Sequence, residues 1–142
     1  MSVNILIVDD SRSMRSVIRK TVAAAGISVG EFFEAVNGLE ALDVLSNSWV
    51  DIVILDYNMP GMDGMELLDK LQDDDFFKTI PVLVTSVEGS KKRVQSFLEH
   101  GAAAYIKKPF TPEETRDKLY QLLGGGINGE DDSHWSDETL DF

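Results

Sequence analysis

Charged residues stand where apolar runs end. Asp9 and Asp10 close Ile5-Leu6-Ile7-Val8, and Asp56 closes Val50-Asp51-Ile52-Val53-Ile54-Leu55. Lys108 stands two residues past Ala104-Tyr105-Ile106 and directly before Pro109. Two hydroxyls, Thr85 and Ser86, end the run that starts at Pro81. If the runs lie side by side, these groups converge. Three carboxylates held together repel one another unless a cation neutralises them. Their donor set is oxygen only, which suits a hard ion: Mg2+ first, with Mn2+ as the alternative. A lysine opposite can hold a phosphoryl oxygen or pair with the central carboxylate. Such parts make a phosphoryl-transfer site that works by positioning and charge neutralisation. The attacking group would be a carboxylate.

Each part also has a plainer reading. An Asp after a strand is commonly a helix N-cap, and Asp10 stands where it could cap the next helix. A Lys-Pro step is an ordinary turn, and Thr85 and Ser86 could be ordinary strand-end hydroxyls. The plain reading weakens when four strand ends all supply polar groups of matching kinds.

What must position these groups is a chain that alternates strand-like and helix-like segments five times. The runs at 5–8, 52–55 and 82–84 are continuously apolar, as strands covered on both faces are. Residues 32–35 and 104–106 complete the set of strands. Between them the period changes. Met14, Val17, Ile18, Val22 and Ala25 repeat at helical spacing, and Gly26 stands where a left-handed cap ends a helix. Asn37 with Glu40 predicts a cap for a helix through Leu45. Asp63 caps a helix carrying Met65, Leu68 and Leu71, and Ser90 one carrying Val94, Phe97 and Leu98. Thr111-Pro112-Glu113-Glu114 is a strong helix start. The composition predicts a loop over 57–63. Five β-then-α units predict a parallel sheet with helices on both faces. In such sheets the binding crevice lies beyond the carboxyl ends of the strands.

Composition removes other classes. The chain has 142 residues, about one domain's worth. It has no cysteine, so disulfide scaffolds, thiol enzymes and cysteine metal sites are excluded. A net charge of −12 disfavours direct contact with nucleic acid. No apolar run approaches the ~20 residues of a membrane helix. A soluble, cytoplasmic protein is expected. Residues 1–123 are read as the domain. From Gly124-Gly125-Gly126 onward a hinge and a disordered tail are expected. Residues 127–142 hold six of the 25 acidic residues and none of the 13 basic ones, so half the net charge sits there.

Four blocks carry a resemblance. They are Ile5 to Arg12, Asp56-Tyr57-Asn58-Met59-Pro60-Gly61-Met62-Asp63-Gly64, Pro81 to Ser86, and Gly101 to Phe110. Together and in this order they resemble the receiver domains of two-component response regulators, over residues 4 to about 123. The plan is that of the CheY-like single-domain members. The resemblance implies a doubly wound, five-stranded parallel sheet of order 2-1-3-4-5 with five helices. It implies that Asp56 accepts the phosphoryl group and that Asp9, Asp10, Asp56 and the backbone carbonyl of Asn58 hold Mg2+. Lys108, not Lys107, contacts the phosphoryl group. Ser86 is the switch hydroxyl, five residues after Pro81, and Tyr105 the switch aromatic. Val87, where many receivers have a smaller residue, is expected to narrow access to the phosphoryl group. Asn58 and Glu88 are expected to flank the site and orient or hinder the attacking water.

The implied partners are a histidine kinase or phosphotransfer protein, a phosphatase, and a protein target. The target meets the face of the fourth helix, fifth strand and fifth helix, and chemotaxis is the pathway that the plan matches. The chain is then a switch, with at most slow self-catalysed phosphorylation and dephosphorylation. Its alternatives are a receiver fragment of a longer regulator or, in another class, an Mg2+-dependent aspartate-nucleophile phosphatase. The phosphatase wants a second acid two residues after the nucleophile, where Asn58 stands. Lys91, Lys92, Arg93, Lys107 and Lys108 are expected to make the target face partly basic. Trp135, Leu140 and Phe142 interrupt the acidic tail, so its docking on that face is an expectation alongside plain solubility.

Overall fold

A parallel sheet with strands in the order β2-β1-β3-β4-β5 carries the chain. It is seen in a computed structural model that describes residues 2–57, 64–87 and 89–124. The elements are β1 Val3–Val8, α1 Arg12–Ala24, β2 Val29–Ala35, α2 Gly38–Asn47, β3 Ile52–Asp56 and α3 Gly64–Gln72. A 3-10 turn, Phe77–Thr79, follows, then β4 Val82–Ser86, α4 Lys91–Glu99, β5 Ala104–Lys107 and α5 Pro112–Leu123. This is the predicted fold and strand order. The 3-10 turn is an addition, and β2 begins earlier than expected. Its start, Val29-Gly30-Glu31, is half-buried to exposed, so an edge strand shows little apolar signal there.

Period-two alternation sends the sheet's side chains to two separate cores. Leu6, Val8, Val53, Leu55, Val82 and Val84 pack with Leu45, Leu67, Leu68 and Phe97, from α2, α3 and α4. Ile5, Ile7, Ile52, Ile54, Leu83 and Ile106 pack with Ile18, Val22 and Leu119, from α1 and α5. Both faces of β1, β3 and β4 are therefore covered, which is why those runs are continuously apolar.

The helices start where capping chemistry places them. Ser90 accepts from the Arg93 amide, and Asn37 from the Glu40 amide at 2.8 Å. Thr111 and Glu114 close a full capping box. Gly26, at φ +82°, ends α1 as expected. The expected Asp63 cap lies outside the described residues, as does the tail from Gly125 on.

Two expected core positions are corrected. Val17 is 51% exposed and Leu98 47% exposed. Both lie at the margin of an apolar helical stripe, where the rotation of the helix against the sheet decides burial. Arg15 takes the buried place on α1 instead. Among the described residues no helix is long and apolar enough to cross a membrane.

Candidate functional site

The carboxyl ends of β1, β3 and β5 bring Asp9, Asp10, Asp56 and Lys108 together. Asp9 and Asp56 are buried, at 1% and 6% exposure, while Asp10 is exposed. One carboxylate oxygen from each of the three lies within 4.8 Å of the others. The Lys108 ammonium donates to Asp56 Oδ1 at 2.9 Å and to Asp9 Oδ2 at 3.3 Å. Burial alone would push the Lys108 pKa down. The hydrogen bond and charge of Asp56, with those of Asp9, outweigh it and hold the ammonium above its usual range. One ammonium against three carboxylates leaves the cluster net negative. This all-oxygen donor set, short of positive charge, fits Mg2+ or Mn2+.

The capping reading of Asp10 fails on geometry. Ser11 caps α1, accepting from the Met14 amide at 3.2 Å. The Ser11 amide in turn donates to Asp9 Oδ1 at 2.9 Å, so one Asp9 oxygen faces its own turn and the other faces Lys108. Asp10 is thus not spent on the helix end.

Asp56 pairs in register with Thr85, and Ser86 with Lys107. The pleat therefore separates the two hydroxyls. Thr85 follows Leu83 toward the α1–α5 side, and its buried Oγ1 has no hydrogen-bond partner among the described residues. Ser86 follows Val84 toward the α3–α4 side and is buried. Tyr105 is half-buried, stacks on Phe97 at 5.6 Å, and donates its hydroxyl to the Ser86 carbonyl at 3.3 Å. Ser86 and Tyr105, the two residues expected to switch, thus meet through the Ser86 backbone carbonyl. Val87 is 62% exposed. Asn58, whose carbonyl was expected to join the metal ligands, and Glu88 lie outside the described residues.

The expected basic cluster divides. Lys108 turns into the carboxylates, and Arg93 donates to the Tyr57 hydroxyl with its guanidinium 4.9 Å from the centre of that ring. Lys91, Lys92 and Lys107 stay exposed. Tyr57 also meets Phe97 at 4.9 Å, which links the residue after Asp56 to α4. Gly64 lets the start of α3 close on the end of β3: a Cβ there would stand 3.0 Å from the Asp56 carbonyl oxygen and the Tyr57 Cα.

Arg15 was missed by reasoning from sequence. Its guanidinium donates to the Asp9 carbonyl and to Glu34 Oε1, both at 2.7 Å. Its spacing to Ile18, Val22 and Ala25 places it on the buried stripe, but a cation there is intelligible only with Glu34 opposite. Arg15 and then Arg19, by hydrogen bond and charge, hold the Glu34 carboxyl below the usual 4.5 despite partial burial. A depressed carboxyl contributes stability that is present above about pH 4.5 and lost as pH falls through the lower folded value. Melting temperature should therefore drop more steeply on acidification below pH 4.5 in the wild type than in Glu34→Gln. Parallel acid limbs would show that the triad contributes nothing.

A family model described as the response regulator receiver domain matches residues 5–120. Chemotaxis protein CheY1 of Helicobacter pylori is 40% identical over 121 residues, covering 84% of this chain and 96% of that protein. The structure of chemotaxis response regulator CheY4 of Vibrio cholerae superposes with a TM-score of 0.77 at 32% identity. It covers 87% of this chain and 100% of that one. The receiver domain of sensor histidine kinase PA1611 from Pseudomonas aeruginosa, with a magnesium ion coordinated in its active-site cleft, shares the fold: TM-score 0.75, 19% identity, 87% of this chain and 99% of that one.

Proposed function

The chain belongs to the response regulator receiver family, phospho-accepting switches of two-component signalling, and from that premise we propose that Asp56 is the phosphoacceptor. One observation carries this reading: Asp56 is a buried carboxylate at a strand end, 2.9 Å from a lysine and clustered with Asp9 and Asp10.

The donor is a phosphohistidine on a histidine kinase or phosphotransfer protein. An Asp56 oxygen attacks phosphorus, the P–N bond breaks, and the electron pair leaves with the imidazole. Lys108 faces the developing charge. Asp9, Asp10 and Asp56, with the Asn58 carbonyl, are the residues that would hold Mg2+, or Mn2+ in its place. Such an ion supplies charge neutralisation toward the phosphoryl oxygens. The aspartyl phosphate then carries about −2 charge and three strong acceptors. Ser86 turns to donate to one of them, and Tyr105 follows into the space beside it. The change biases an existing equilibrium of the α4–β5–α5 face, where the protein target docks. Turnover without a partner is slow, and a phosphatase completes the cycle. Similarity to the two chemotaxis proteins supports chemotaxis as the pathway, in the cytoplasm. Residues 1–123 form the receiver, with 124–142 as hinge and acidic tail.

Beryllofluoride with Mg2+ tests the site directly. An amide NMR titration should show Mg2+-dependent shifts around Asp56, Ser86 and Tyr105. A spectrum indifferent to Mg2+ would leave only a binding module with inactive chemistry.

Asp10 separates metal binding from stability. Asp10→Asn removes one of three clustered charges, so the metal-free protein should melt higher than wild type. Its Mg2+-induced rise in melting temperature should vanish. A rise as large as in wild type would count against ligation by Asp10.

A further inference from the structure

Two apolar cavities of the described residues compare directly. One is a groove of about 610 Å3 along α4, walled by Gly89, Lys91, Val94, Gln95, Leu98 and Glu99. The other, about 230 Å3, lies by Trp49, Phe76 and Ile80, near the amino-terminal ends of β3 and β4. In the first, residues 91, 94, 95, 98 and 99 repeat at helical spacing. α4 thus has an outward stripe with Val94 and exposed Leu98, beside the buried Phe97. An exposed apolar stripe with a charged rim marks an interaction surface.

Charge separates the two surfaces. Lys91 and Lys92 open α4, whose first turn holds no acid. Lys107 on β5 borders Gly89, its Cδ 3.1 Å from where a Cβ would stand. The Trp49–Phe76 surface instead has Asp51 in its wall, with Asp73, Asp74 and Asp75 just before Phe76.

The chain carries its own match to the first surface. Residues 127–142 hold six acids and no lysine or arginine, and their last ten residues carry three large apolar side chains, Trp135, Leu140 and Phe142. Such a segment is attracted by Lys91, Lys92 and Lys107, against Glu99 at the far end of the groove, and repelled by Asp73 and Asp74 at the second surface, where Lys78 offsets Asp75. Reach permits the contact. Helices α4 and α5 both return antiparallel to the strands, so Gly124 and the Leu98 end of the groove share one end of the sheet. The eleven residues from Gly125 to Trp135 span up to ~35–40 Å. A domain of this size has a radius of gyration of about 14 Å.

We infer that residues 133–142 dock in the α4 groove of their own domain. Trp135, Leu140 and Phe142 supply apolar contact to Val94 and Leu98, and the acids meet Lys91, Lys92 and Lys107. Tethering supplies an effective concentration of order millimolar, so a weak contact suffices. The consequence, competition with a target for this face, rests on the proposed output role of α4–β5–α5. The contact itself is measured without any target.

Replacing Trp49 by Phe leaves Trp135 as the only tryptophan. In that full-length protein, emission should be blue-shifted from that of a free peptide of residues 127–142. The shift should disappear in Leu98→Ser and weaken near 0.5 M salt, where the Debye length is ~4 Å. Leu98 is 47% exposed, so the variant should fold, and Lys91→Glu with Lys92→Glu gives an independent disruption. Deleting residues 127–142 should move amide signals of 89–98 and 104–107. Emission equal to the peptide's, or signals unmoved in those segments, would overturn the docking. So would shifts confined to Trp49 and Phe76, or an emission shift that grows with protein concentration, which would assign the contact to a second copy. The tail-deleted protein should keep its beryllofluoride response, so a failure of docking is distinguishable from a failure of the receiver chemistry.

Discussion

Asp56→Asn protein incubated with acetyl phosphate and Mg2+ should gain no phosphate at residue 56, whereas the wild type gains one. An amide lacks the anionic oxygen that attacks phosphorus, so the loss should be complete rather than partial. No other described carboxylate shares its setting. Asp9 is as buried, but one of its oxygens is held by the Ser11 amide, and Asp10 is exposed. Lys108 keeps Asp9 as a partner at 3.3 Å in the variant, so the fold should survive. Intact-mass measurement reads the first result and peptide mapping the second. A phosphate mapped to another residue of the wild type would remove Asp56 from its proposed role.

Lys108→Met should produce the next largest change, and in two directions. The methionine fills similar volume, but Asp9 and Asp56, both buried, lose the ammonium that they share. Breaking a buried pair by removing one partner costs about 3–5 kcal/mol. The exposed Asp10 side of the site admits water, so the lower end of that range applies. Melting temperature without metal should fall, and added Mg2+ should restore more of it than in wild type, because the ion replaces the missing positive charge. Phosphorylation from acetyl phosphate should slow by about 10²–10³-fold, the usual effect of deleting one electrostatic stabiliser. The gap in stability should be flat across neutral pH. The folded pKa of Lys108 is raised above 10.5, so its contribution is complete below that value and is lost only as pH rises through the folded one. A phosphorylation rate equal to wild type would show that Lys108 is a structural counter-ion only.

Much of this site was legible because strand ends are local features. A continuous run of β-branched and apolar residues marks a strand covered on both faces, and its last residue must stand at the crevice. That puts Asp9, Asp10 and Asp56 at strand ends from the sequence alone, and the family resemblance singles out Lys108. Helix starts were legible for a similar reason: Asn37, Ser90 and Thr111 satisfy amides within three residues of themselves, whereas at α1 the cap is Ser11 and not the expected Asp10. The strand order came with the family resemblance, since periodicity alone does not order parallel strands.

Other features rest on partners distant in the chain, which packing brings together. The pleat alternates Lys107 and Lys108: Lys108, the one that the resemblance implies, meets the carboxylates of β1 and β3, and Lys107 stays exposed. The same alternation parts Thr85 from Ser86. A helical stripe defines an apolar arc without its margins, so Val17 and Leu98 fell to solvent and Arg15 fell inside. Arg15 is tolerable there because Glu34, nineteen residues on, lies within 2.7 Å. Arg93 left the basic face for Tyr57, thirty-six residues away in sequence. Local pattern is enough to say which groups arrive at the strand ends, because period and capping act over a few residues. Which charges meet was decided by tertiary packing, because electrostatic and ring contacts depend on distances that no local pattern encodes.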